Sequence, residues 1–139
     1  MLIILSIMLT LAVFSLPMML EAIESSKLRG VAQGAVSLMR LARFEAIKRN
    51  GCGLVQLDTS VGQVVSYLDQ DCNTATGNKL LGVVDLPSGV TASWTVGGDV
   101  TFRGNGSADA IGTLKFVNRK GTAKQVSVTS RSTGKISVL

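Results

Sequence analysis

The first twenty residues carry sixteen apolar side chains and no charge, from Met1-Leu2-Ile3-Ile4 to Pro17-Met18-Met19-Leu20. As a helix, a run of about 20 residues is about 30 Å long, the thickness of a bilayer's hydrocarbon core. Ser6, Thr10 and Ser15 can bond back to the helix backbone, which makes them tolerable in lipid. A cationic leader and a small-residue exit site are both missing, so the run reads as a retained membrane helix rather than a cleaved secretory signal. It has nothing in its own chain to pack on. It needs lipid, or a bundle of similar helices, and Leu5, Leu9, Val13 and Pro17 are its candidate contact residues.

Pro17 lacks an N–H and crowds the preceding turn, which predicts a kink. The helical pattern continues beyond it. Leu28, Val31, Ala32, Ala35, Leu38, Met39, Ala42, Ala46 and Ile47 recur at steps of three and four and form one apolar stripe. Arg40, Arg43, Lys48 and Arg49 fall mostly off that stripe, and Asn50-Gly51 is a stop signal. The expectation is a single helix of roughly 50 residues, about 75 Å long at 1.5 Å per residue. Its first half is apolar all round. Its second half is amphipathic and must bury its stripe against the rest of the chain.

From Gly53 the periodicity shifts towards two. Expected strands are Leu54–Leu57, Gln63–Leu68, Leu80–Val84, Val90–Val96, Val100–Phe102, Thr113–Asn118, Gln125–Thr129 and Lys135–Val138. Glycine-rich turns separate them, among them Ala75–Asn78, and Gly97-Gly98 and Gly104-Asn105-Gly106 are expected to be hairpin turns. The fold class is therefore α+β. A long N-terminal helix, membrane-spanning in its first half, would pack on a C-terminal antiparallel β domain of two small sheets. Residues 1–24 are expected to be the membrane-spanning and exposed helix segment. Residues 25–139 are expected to be the globular domain, with helix 25–50 and a β region over 53–139.

The chemistry is bounded by what the chain lacks. It contains no histidine, so the usual general base near neutral pH and the commonest metal ligand are both missing. No acid–base or nucleophile constellation is visible, and neither an enzyme nor a cofactor nor a metal site is expected. Asp69-Gln70-Asp71-Cys72-Asn73 has the alternating oxygens of a calcium loop. It fails at the sixth position, Thr74 instead of Gly, and at the twelfth, Leu80 instead of Glu, and reads as a solvated turn. Cys52 and Cys72 are an even pair, and in an exported domain they are expected to form a disulfide.

The charge is uneven. The net charge is +5 overall, but residues 51–100 carry −4 and residues 101–139 carry +6. Such a basic block is either a solvated face or an electrostatic footprint for an acidic partner. Arg119, Lys120, Lys124, Arg131 and Lys135 are the candidate DNA-binding residues within it. Aromatic residues make up only 4% of the chain, which gives no stacking platform for bases.

Three stretches carry a family resemblance. They are the apolar helix ending in Leu16-Pro17, then Leu28-Arg29-Gly30 with Leu41-Ala42-Arg43-Phe44-Glu45-Ala46-Ile47-Lys48-Arg49-Asn50, and finally Leu86–Val90 with Val100–Gly106. With these the chain resembles type IV pilins and type II secretion pseudopilins, specifically the FimT/GspH family of minor members. The resemblance implies a structural subunit that helps to assemble, initiate or cap a type IV pilus-like filament, held in a bacterial inner membrane with its globular domain in the periplasm. Its implied partners are other pilins or pseudopilins and the membrane. Aligned on Pro17, the family's Phe-Thr-Leu-Ile-Glu start would lie just upstream of Met1, so a prepilin peptidase is a further partner if such a leader precedes this sequence. Two alternatives stay open: a minor pseudopilin of a type II secretion system, and a DNA-binding minor pilin for natural transformation. For the latter, the arginine-rich motif near the family's C-terminus is matched here by Gly134-Lys135-Ile136-Ser137, which keeps the glycine and one cation but neither arginine.

Overall fold

In a computed structural model the chain opens on one helix, α1 (Leu2–Arg49), and continues into strands. The structure describes residues 2–73 and 79–139, with the side chains of Met19 and of residues from 21 onward. The turn expected at Ala75–Asn78, Thr74, and the side chains of Leu5, Leu9, Val13 and Pro17 lie outside the described residues. α1 runs through Pro17 without interruption. Among the described residues no helix is long and apolar enough to cross a membrane. In the run expected to do so, residues 1–20, only the Met19 side chain is among those described.

α1 stops where the sequence places its stop. Asn50 takes a left-handed backbone, φ 51°. That turn lets the Gly51 N–H donate to the Ala46 carbonyl at 3.0 Å and the Asn50 N–H donate to the Ile47 carbonyl at 3.3 Å. These two bonds are the Schellman closure of a helix, with asparagine tolerated at the left-handed position. Lys48 and Arg49 occupy the last turn, where cations suit the negative end of the helix dipole.

Eight strands follow among the described residues: β1 (Cys52–Asp58), β2 (Gln63–Asp69), β3 (Lys79–Asp85), β4 (Val90–Val96), β5 (Val100–Arg103), β6 (Gly112–Asn118), β7 (Ala123–Ser130) and β8 (Lys135–Val138). They form two four-stranded antiparallel sheets, ordered β3-β2-β1-β5 and β4-β6-β7-β8. Gly97-Gly98 is therefore not a hairpin turn: it carries the chain from one sheet to the other. The reason is packing. Val100 and Phe102 are fully buried beside β1, where the core has room for them. Gly97 permits the crossing because it has φ +70°, and a Cβ there would lie 2.4 Å from the Ile111 carbonyl oxygen.

α1 packs on strands of both sheets. Its buried face is Leu28, Val31, Ala32, Ala35, Leu38, Met39, Ala42 and Ala46, joined by Val36. It meets Val55, Val64, Val100 and Phe102 from the first sheet and Leu114, Phe116, Val126 and Val128 from the second. Ile47, expected on the stripe, is 47% exposed. It follows fully buried Ala46 by one residue, about 100° round the helix, and that step carries it off the contact face. Its Cδ1 instead approaches the turn at Gly106.

The helix comes close because its contact residues are small. At Gly53 a Cβ would lie 2.3 Å from the carbonyl oxygen of Ala42, so backbone meets backbone there. Gly53 is paired with Leu68 of β2 and Phe102 of β5, so the approach is made at the middle of the first sheet. Gly53→Ala is expected to destabilise the fold by about 1–3 kcal/mol, the usual cost of overpacking. Gly98→Ala, where nothing lies within 4 Å of the added carbon, should stay within about 0.5 kcal/mol of wild type. Parallel thermal melts check both.

Candidate functional site

The segment Leu41–Asn50 organises one end of the domain. Ala42 and Ala46 are fully buried. Arg43 reaches across to the β5–β6 connection, where its Nε donates to the Gly106 carbonyl at 3.1 Å. It also lies over Gly134 of the β7–β8 turn, so one side chain touches three parts of the fold. Glu45 pairs with Arg49 at 3.0 Å and with Lys48 at 3.8 Å. The hydrogen bond from Arg49 holds the Glu45 carboxyl below the usual carboxylate range, against a smaller desolvation effect in the other direction. On the outer side Leu41, Phe44 and Ile47 are exposed, Phe44 by 60%. At steps of three they make an apolar ridge along the helix.

Cys52 and Cys72 form the expected disulfide, with Cα atoms 5.1 Å apart across a separation of 20 residues. The bridge ties the start of β1 to the residues just after β2. It borders a hollow of about 480 Å³ lined also by Asp69, Thr101, Arg103 and Asp109. Arg103 and Asp109 are ion-paired. Among the described residues no group of three His, Cys, Asp or Glu side chains is placed to hold a metal ion.

The five candidate DNA-binding cations do not form one cluster. Arg119 and Lys120 sit in the turn between β6 and β7. There Lys120 donates to Glu21 of α1 at 2.8 Å, and Arg119 lines a small pocket with Glu24, Lys27 and Gly89. The Glu21 hydrogen bond holds the Lys120 ammonium above its usual range. Arg131 and Lys135 flank the opposite turn, between β7 and β8. The length of β7, roughly 25 Å, separates the two groups. Lys124 lies within β7 itself. The sequence places Arg40 and Arg43 off the buried stripe without a task. The structure sets them beside Lys135 in a cleft of about 490 Å³. No sequence signal joins them, because the juxtaposition depends on how β8 lies against α1.

A long helix whose second half fills the groove of two small antiparallel sheets, closed by a disulfide at the helix end, is the architecture of a pilin-like protein. A crystal structure of the type IV minor pilin FimU of Pseudomonas aeruginosa superposes with a TM-score of 0.64 at 17% identity, covering 84% of this chain and 90% of that one. The structure of the minor pseudopilin EpsH from the type 2 secretion system of Vibrio cholerae gives a TM-score of 0.65 at 14% identity, covering 81% and 96% respectively. At such identities the likeness shows a shared fold. No curated protein matches the sequence. The family model described as type II transport protein GspH matches residues 31–134, most of the chain, and the chain belongs to that family.

Two consequences are measurable. Replacing Cys52 and Cys72 together by Ala opens a loop of 20 residues and should lower stability by about 3 kcal/mol, read from denaturant unfolding. Unchanged stability would mean that the bridge constrains nothing. The Glu45 carboxyl is held low in the folded state, so its contribution is present above the ordinary carboxylate pKa and is lost as pH falls through the lowered value. Between about pH 5 and about pH 3 the wild-type melting temperature should therefore drop further than that of Glu45→Gln.

Proposed function

We propose that the protein is a structural minor pilin or pseudopilin that takes part in assembling, initiating or capping a type IV pilus-like filament, and is not an enzyme. The observation that carries this reading is the division of α1. Among the described side chains of α1 the first buried one is Leu28, and none of those before it belongs to the core of the domain. Residues 1–20 are free of charge, and in this reading they anchor the chain in the inner membrane and later enter a bundle of related helices. The globular part then stands in the periplasm, an oxidising compartment that suits the Cys52–Cys72 bridge. Met19, Ile23, Leu41, Phe44 and Ile47 leave apolar surface along the exposed length of α1. A monomer gains nothing from that surface, and neighbouring subunits would cover it. The work done is packing, with neighbouring pilin-like subunits as partners and a prepilin peptidase acting on any leader upstream.

The location of the cations favours this role over DNA capture. Lys120 is ion-paired with Glu21, and Arg119 lies close to Glu24. Lys120, one of the five candidate residues, thereby serves to fasten the β6–β7 turn to the helix.

Phe44→Glu tests the reading. The side chain is 60% exposed, so the melting temperature should stay within a few degrees of wild type. Recovery of the chain with sheared filaments or with cross-linked pilin-like subunits should be lost. Normal recovery of this variant would count against filament packing through α1. In a companion experiment, the chain beginning at Ser25 should stay folded without detergent, with cooperative melting retained.

A further inference from the structure

The cleft at the C-terminal end of α1 lies apart from the disulfide, and its wall at Ile136 packs on the core. It is bounded by Arg40 and Arg43 of α1 and by Thr133, Lys135 and Ile136 at the β7–β8 turn. Three of these five residues are cations, and none is an acid. Among the described residues the ion pairs are Lys48 and Arg49 with Glu45, Arg103 with Asp109, and Lys120 with Glu21. None of them involves the cations of the cleft. Three like charges around one hollow repel each other, and a fold normally avoids that unless an anion is to be accepted.

Arg43 is built for the task. It is half-buried, and its Nε is fixed on the Gly106 carbonyl at 3.1 Å. No hydrogen bond to a described residue occupies its terminal nitrogens. A guanidinium held in this way loses little further freedom when it binds a carboxylate or a phosphate. Lys135 supplies a mobile charge and Thr133 a hydroxyl, and Ile136 gives the cleft an apolar wall.

We propose that this cleft docks carboxylates from an acidic surface of a neighbouring pilin-like subunit. The inference rests on the filament reading and adds the chemistry of one contact. Two observations favour a protein carboxylate over a nucleic acid. No aromatic side chain lines the cleft, so bases have nothing to stack on. Arg40 also adjoins the exposed ridge of Leu41 and Phe44, and apolar side chains beside a charged rim make a protein interface. The complementary surface exists on this fold: Asp58, Asp85 and Asp99 lie on or beside the first sheet, in the segment that carries −4. A head bearing an acidic sheet and a basic cleft fits a head-to-tail stack, in which two different faces of successive subunits meet.

The test uses the full chain in non-ionic detergent and a fluorescein-labelled hexaglutamate peptide, read by anisotropy at low salt. Arg40→Gln with Lys135→Gln removes two charges from the cleft and leaves Arg43, whose Nε also supports Gly106. This double variant should weaken peptide binding about tenfold. Lys115→Gln with Lys124→Gln removes the same charge elsewhere and should change it less than about twofold. The proposal is overturned by equal losses in both double variants, by no peptide binding at low salt, or by a short single-stranded oligonucleotide that binds more tightly than the peptide and is lost in the cleft variant. Because the peptide is read on the isolated chain, failure here beside normal filament recovery overturns this inference alone. The Phe44→Glu experiment judges the filament reading separately.

Discussion

The fold depends on a helix and a strand that meet with no side chain between them. At Gly53 the β1 backbone lies so near the Ala42 carbonyl that an added Cβ would sit 2.3 Å from its oxygen. The small residues Ala32, Ala35, Ala42 and Ala46 make the approach possible along the buried face. Phe102, Leu114 and Phe116 then fill the flanks on either side of the helix, and all three are fully buried. The two sheets need not pack on each other face to face, because α1 serves both as their shared core. The closing bonds at Asn50 and Gly51 set where the helix ends, and with it where Cys52 begins β1.

α1 divides into two parts of different character. Up to Leu20 the sequence has the composition of a membrane helix. From Leu28 the helix is the spine of the domain. The Glu21–Lys120 ion pair lies at the join and fastens the β6–β7 turn to α1. Both partners are more than half exposed, so the pair fixes geometry more than it adds stability.

Much of this was legible in the sequence, for physical reasons. The apolar stripe from Leu28 to Ala46 is a local pattern, and burial follows it residue by residue. The eight strands appear where alternation and glycine turns place them, because those signals are also local. Ile47 departs from the pattern because it lies one residue, about 100°, round the helix from fully buried Ala46, and its tip meets the Gly106 turn instead of the core. Gly97-Gly98 has the composition of a hairpin, but sheet membership is decided by which strand fills the space beside β1, and that is a long-range property. The basic cleft was illegible for the same reason: Lys135 lies more than ninety residues from Arg40 and Arg43 in the chain and meets them only through the sheet order. The net charge of residues 101–139 correctly signals an excess of cations, but it does not divide them between the two ends of β7.

The second half of α1 and the two sheets form one cooperative unit. Native-state amide hydrogen exchange on the full chain in detergent measures this directly. Amides of Val36–Ala46 should open with the same free energy as those of Val55 in β1 and Phe116 in β6. Helix amides over Val36–Ala46 that exchange in a separate, much easier step, while the sheets stay protected, would contradict it.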